Sequence, residues 1–205
     1  MRQLEAIEPG NIYHIYNCGI NGEPIFKEKR NYYYFLMKYQ QYCSDVLETF
    51  AYALLNNHFH FLVKVKEKNL DKISSDPAVK SLNASRQLSH FFNAYAQAIN
   101  KSYHRHGKLF ESPFKRKQIK YDSYFTRIIR YIHLNPENHG FVKDFREWEF
   151  SSWHAILSTQ DTYLSRQQVF DWFGSRDHLI NYHLARDKKP VEHAPPSFQS
   201  LTGKP

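Results

Sequence analysis

An α+β fold is what the sequence predicts: one antiparallel sheet with helices packed mainly on one face, followed by a C-terminal helical extension. Three observations carry this expectation. The apolar period switches between two and 3.6 residues along the chain, in the order strand, helix, strand, strand, helix, strand, helix. The second and third strands are separated by two asparagines, which makes them an antiparallel hairpin. The composition is that of a globular chain: 205 residues, 41% hydrophobic and 23% charged, with 7 Gly and 9 Pro, enough to bury about 70% of the unfolded surface in one core. This element order is the split βαβ pattern of a ferredoxin-like sheet with one helix added.

Ile12, His14 and Tyr16 alternate with Tyr13, Ile15 and Asn17 in a β-branched and aromatic run, the period of a first strand. Asn17-Cys18-Gly19-Ile20-Asn21-Gly22 then turns the chain. From about Glu28 to Cys43 there is no Gly or Pro, and Tyr32, Phe35, Leu36, Tyr39 and Tyr42 fall at helical spacing. Strands are expected from about Val46 to Leu55 and from Phe59 to Val65, joined by Asn56 and Asn57, which tolerate the left-handed backbone of a tight hairpin. Lys66 to Asn83 is polar, contains Pro77 and reads as a loop. Leu88, Phe91, Phe92, Tyr95, Ala98 and Ile99 then mark a second helix, with Gly107 just past its basic end.

A strand from about Lys115 to Tyr121 and a third helix from about Ser123 to Leu134 follow, the helix closed by Pro136 because the residue before a proline is pushed out of helical geometry. An aromatic segment runs from Phe141 to Trp153, and two short helices are expected at about Ser165 to Phe173 and Asp177 to Arg186. Residues 1–187 thus read as a single domain, with a core at about 11–153 and a helical extension at about 154–187. The remainder, 188–205, with four prolines and few apolar residues, reads as a flexible tail.

Composition also excludes functions. No run of about 18 apolar residues exists to span a membrane, and Met1-Arg2-Gln3-Leu4-Glu5 lacks the regions of a signal peptide, so a cytoplasmic protein without a membrane partner is expected. Cys18 and Cys43 stand apart, too few for a disulfide framework or a thiolate zinc site, and read as small buried residues. The net charge is +8, and Lys101 to Lys120 carries seven basic residues against one Glu. Three quarters of the charge therefore sits in a tenth of the chain, interleaved with Tyr103, Phe110 and Phe114. That is the footprint of a polyanion whose bases can stack, or else of a solvated basic face.

His58 and His60 are two apart in a strand and project from the same face, so their imidazoles can share one divalent cation. Paired histidines are also common in cores, and the pair needs a third ligand. Tyr131 and Asn135 are four apart on the third helix, below Tyr124 and Ile128, and present a phenol and an amide side by side.

Together these residues resemble a known family. Residues Tyr13 to Ile132 are similar to the single-tyrosine HUH transposases of the insertion-sequence-200 type, with His58-Phe59-His60 matching the HUH motif. The closer resemblance is to REP-associated tyrosine transposases, through Tyr13-His14-Ile15-Tyr16-Asn17, Asn57-His58-Phe59-His60-Phe61-Leu62, Arg130-Tyr131-Ile132-His133-Leu134-Asn135-Pro136 and Trp148-Glu149-Phe150-Ser151-Ser152-Trp153. It implies Tyr131 as nucleophile, a metal site of His58, His60 and Asn135, and single-stranded or hairpin DNA as substrate. Two positions depart from the family: Cys18, where relatives often carry a basic residue, and Asn56, where Pro is common, the latter expected to affect the turn and not the chemistry.

The expected activity is therefore a metal-dependent single-strand DNA transesterase, a nuclease and strand transferase working through a 5'-phosphotyrosine. Mg²⁺ or Mn²⁺ suits it better than a closed zinc site, because positions must stay open to phosphate oxygens. Lys115, Arg116, Lys117 and Lys120, then Arg105 and Lys108, are the residues expected to contact the DNA backbone, although alternate strand residues face opposite sides. A non-catalytic nucleic-acid-binding module, or a metal phosphoesterase releasing free ends, are the rival classes. A monomer and a homodimer are both compatible with the sequence.

Overall fold

The computed structural model describes residues 5–67 and 83–185. The polar loop expected after Lys66 falls mostly outside these residues, as does the tail expected at 188–205. Four strands, β1 (Ile12–Cys18), β2 (Leu47–Leu55), β3 (His58–Val65) and β4 (Lys115–Ile119), form one antiparallel sheet in the order β2-β3-β1-β4. This is the strand order of the split βαβ pattern.

The helices α1 (Lys29–Cys43) and α2 (Ala84–Ser102) pack on each other and on one face of the sheet. The alternation of β3 explains why. Phe59, Phe61 and Val63 point to that side, and Phe35 of α1 meets Phe59 at 5.1 Å and Phe91 of α2 at 4.7 Å between ring centroids. His58 and His60 have the opposite parity and lie against the added helix α3 (Asp122–Asn138) on the other face. The sheet thus separates an aromatic core from a histidine-bearing face.

The asparagine hairpin closes as expected, with Leu55 opposite His58, but by a different device. Among the described residues only Asn21 and His104 are non-glycine residues with positive φ, so neither Asn56 nor Asn57 is left-handed. Tertiary hydrogen bonds hold the turn instead: the Asn56 carbonyl accepts from the Ile25 and Phe26 amides, and the Asn57 carbonyl from Gly19. Gly19 itself has no alternative, because a Cβ there would overlap the Glu23 carbonyl oxygen.

The second correction concerns the end of α3. Pro136 was expected to close the helix near Leu134, yet α3 continues through it to Asn138. Proline removes only the donor that would reach the Ile132 carbonyl, and the following amides compensate: His139 donates to the Asn135 carbonyl and Phe141 to that of Pro136. Pro136 is also buried, so packing favours the continued turn. The consequence is that Asn135 sits on regular helix.

Three short helices complete the described residues, α4 (Trp153–Leu157), α5 (Arg166–Phe173) and α6 (Arg176–Leu184). The run from Trp148 to Trp153 caps the outer edge of β2, where Phe150 accepts from the Leu54 amide and the Trp148 indole donates to the Leu54 carbonyl. Covering an edge strand in this way removes a template for unwanted pairing.

Candidate active site

The site forms where α3 crosses the histidine face of β1 and β3. His58, His60 and Asn135 are buried, and Tyr131 is partly buried beside them. Their arrangement follows from three spacings: two residues on β3, four on α3, and the register of β1 against β3. Tyr131 meets His60 edge-on, ring centroids 5.6 Å apart. Asn135 Oδ1 lies 2.9 Å from His58 Nε2.

Electrostatics keep every group neutral. Burial lowers His58 to about 4, opposed by the Asn135 contact and helped by His139. Burial also holds His60 well below the ordinary imidazole range, with repulsion from His14, His58 and His139 adding to it. Burial raises the Tyr131 phenol to about 12, opposed by the nearby Asn135 amide. Neutral imidazoles are metal-ligand forms.

Whether the residues fit a cation can be tested on the hydrogen bonds. His58 lies between two acceptors, Asn57 Oδ1 2.8 Å from Nδ1 and Asn135 Oδ1 2.9 Å from Nε2. A neutral ring carries one proton, so one contact sets lone pair against lone pair; with the proton on Nδ1, held by Asn57, it is the contact at Nε2. That lone pair faces the Asn135 oxygen, also an acceptor. Two lone pairs at 2.9 Å repel unless positive charge lies between them, and turning the amide over would bury its oxygen without a partner in place of Nδ2, which is buried and unpartnered now. The donor set therefore fits a cation. Among the described residues no three of His, Cys, Asp and Glu converge on a metal-sized site, so the amide of Asn135 is needed as the third protein donor.

Three aromatic neighbours were not singled out as site residues from the sequence. His14 stacks on His60, centroids 5.1 Å apart, with His14 Nε2 2.9 Å from His60 Nδ1. Tyr16, opposite His60 in the register, stacks on His14 at 4.9 Å. His139, just past α3, lies 4.9 Å from His58. The parity of His14 and Tyr16 was visible in β1, but pairing with β3 was not. Asn57, whose neighbourhood was expected to matter only for the turn, orients His58 directly.

The basic residues divide. Lys117 pairs with His14 and Lys115 with Tyr16 across the β1–β4 ladder, which puts both on the histidine face. Lys117 lies over the Tyr124 ring, and Lys115 is bonded to Glu111 at 2.8 Å. Arg116 has the opposite parity, lies over Phe114 and donates to the Glu5 carbonyl. Arg105 is held by Glu23 and Asn100. Lys108 and Lys120 are exposed. Cys18 and Cys43 are buried and unpaired, as expected. Among the described residues no helix is long and apolar enough to cross a membrane.

Known proteins resemble the chain in sequence and in fold. No family model matches the chain. A Haemophilus influenzae protein assigned as a REP-associated tyrosine transposase is 28% identical over 146 residues, 70% of this chain and 77% of that protein. A solved structure of a REP-associated tyrosine transposase bound to a REP hairpin superposes with a TM-score of 0.60 at 16% identity, covering 78% of this chain and 86% of the other. In sequence the chain is thus similar to one protein assigned as a REP-associated tyrosine transposase, and in fold it matches a solved one.

Proposed function

We propose that the protein is a single-strand DNA transesterase that cleaves at or near hairpins, with Tyr131 as nucleophile and His58, His60 and Asn135 as holders of Mg²⁺ or Mn²⁺. The observation that carries this reading is the placement of the Tyr131 ring against His60, one helical turn before Asn135, whose amide oxygen lies against His58. A phenol beside a phosphate-activating site has a chemical use that a phosphoesterase site lacks. The hairpin held by the solved relative supports the substrate class, and Lys115 and Lys117, on the same face as the site, supply charge for its backbone.

When bound, a divalent cation would draw electron density from a non-bridging phosphate oxygen and make phosphorus more electrophilic. The Tyr131 oxygen attacks phosphorus, losing its proton to solvent. The bond from phosphorus to the 3'-oxygen breaks, that oxygen takes up a proton, and the 5'-phosphate stays esterified to Tyr131. The ester conserves the bond free energy, so a second 3'-hydroxyl can displace the tyrosine and rejoin a strand. Burial keeps the phenol protonated in the free protein, and the edge-on contact with His60 holds its ring at the site.

Denaturing gel electrophoresis after mixing the protein with labelled hairpin DNA and Mn²⁺ tests the proposal. A covalent protein–DNA band is expected, lost in Tyr131→Phe while hairpin affinity stays within about twofold, because only the attacking oxygen is removed. A Tyr131→Phe protein that still becomes attached would move the nucleophile to Tyr124. Cleavage without attachment would identify a phosphoesterase, and binding without cleavage a non-catalytic module.

A further inference from the structure

We infer that His14 is a positioning residue: it accepts the Nδ1 proton of His60 and so keeps the Nε2 lone pair of His60 for the site. The inference deepens the proposed mechanism and rests on it. His14 and His60 are not opposite each other in the sheet. Tyr16 is opposite His60, and His14 is its diagonal neighbour, two residues along β1. The rings still come together nearly parallel, at 22°, with Nε2 of one 2.9 Å from Nδ1 of the other.

One hydrogen must occupy that contact, and its location decides what His60 can do. If His60 donates, its Nε2 is bare and can ligate. If His14 donates, His60 Nε2 carries a proton and cannot. A ligating imidazole is characteristically fixed through its other nitrogen by a hydrogen-bond partner, and His58 has such a partner in Asn57. His14 is the corresponding group for His60.

A packing role for His14 fits less well. His133, a buried histidine away from the site, has both nitrogens engaged, at 2.9 Å with His183 and 2.8 Å with Ser152. The Nδ1 of His14 is buried with no partner among the described residues, and an apolar ring would pack in the same space without burying that nitrogen. What holds His14 is aromatic: Tyr16 stacks on it and Tyr131 meets it edge-on at 6.1 Å. His14 thereby touches both the ligand it orients and the proposed nucleophile.

Calorimetric titration of the full chain with Mn²⁺ tests this, using His14→Phe, which keeps a stacking ring but accepts no proton, and His14→Gln, whose amide oxygen can stand near the Nε2 position. His14→Phe is expected to weaken Mn²⁺ binding about 10- to 100-fold, and His14→Gln to recover most of that loss. In the metal-free unaltered protein, ring nitrogen-15 shifts should report His60 protonated at Nδ1 and bare at Nε2. Should His14→Phe fail to fold in EDTA, the Gln variant and the tautomer decide. Undiminished Mn²⁺ affinity in His14→Phe, with affinity lost in His58→Ala, overturns the inference and leaves the metal site standing, as does the reversed His60 tautomer. An unaltered protein that binds no Mn²⁺ overturns the mechanism and the inference together.

Discussion

Asn135 is the side chain through which the sheet histidines and the helix tyrosine meet, and its chemistry can be probed without disturbing the fold. It is fully buried, its Oδ1 faces His58 and its Nδ2 has no partner among the described residues. Asn135→Asp changes no volume but places a carboxylate among neutral imidazoles, and a buried charge without a cation costs several kcal/mol. The melting temperature of Asn135→Asp in EDTA should therefore fall by roughly 10 °C or more, and Mn²⁺ should restore most of it. Melting insensitive to Mn²⁺ would remove Asn135 from the metal site. At this scale the sequence was informative wherever a site pair lies on one element. His58 with His60, and Tyr131 with Asn135, have fixed spacings on a strand and a helix. His14 joins His60 across 46 residues of chain through a β1–β3 register, and nothing local in the sequence encodes that pairing.

The elements that carry the charge are β4 and the end of α2, and here parity was legible but direction was not. Alternation alone says that Lys115 and Lys117 share a face; only the ladder to β1 says that it is the face of His14 and Tyr16. Each phosphate contact with a single strand contributes a slope of about -0.7 to log K against log[salt]. Lys117→Gln should make the slope for hairpin DNA shallower by about that amount, while Arg116→Gln, on the α1–α2 face, and Arg105→Gln, whose partner is Glu23, should leave it unchanged. Lys115 should behave like Lys117, weakened by its bond to Glu111. Titrations at several ionic strengths check this, and an altered slope in Arg116→Gln alone would place the DNA on the other face. The extent of α3 was misjudged for a related reason: Pro136 was weighed by its own geometry, whereas the buried environment and the amides of residues 139 and 141 decide it.

At the scale of the molecule, five buried imidazoles stand out among the described residues, His14, His58 and His60 at the site and His133 and His183 away from it. His133 of α3, His183 of α6 and Ser152 at the capped edge of β2 form one buried chain. His183 Nδ1 donates to the Leu179 carbonyl, so His183 Nε2 accepts from His133 Nδ1, and His133 Nε2 lies 2.8 Å from the Ser152 hydroxyl, which also reaches the Tyr52 carbonyl. Burial, with His183 and His154 adding repulsion, holds His133 well below the ordinary imidazole range. Burial likewise lowers His14 to about 3 and His58 to about 4, and holds His60 low. The sign follows directly: between about pH 6.5 and 4 the unfolded chain binds protons that the folded chain does not, so stability is full above 6.5 and falls with pH below it. Each such histidine adds a slope of up to about 1.4 kcal/mol per pH unit, and all four act in the same direction. Melting curves in EDTA should therefore be nearly constant from pH 8 to 7 and drop steeply from pH 6 to 5. A melting temperature that holds level down to pH 5 would mean that these imidazoles take up protons in the folded state, and that the lone pairs on which both the buried chain and the metal site depend are not preserved.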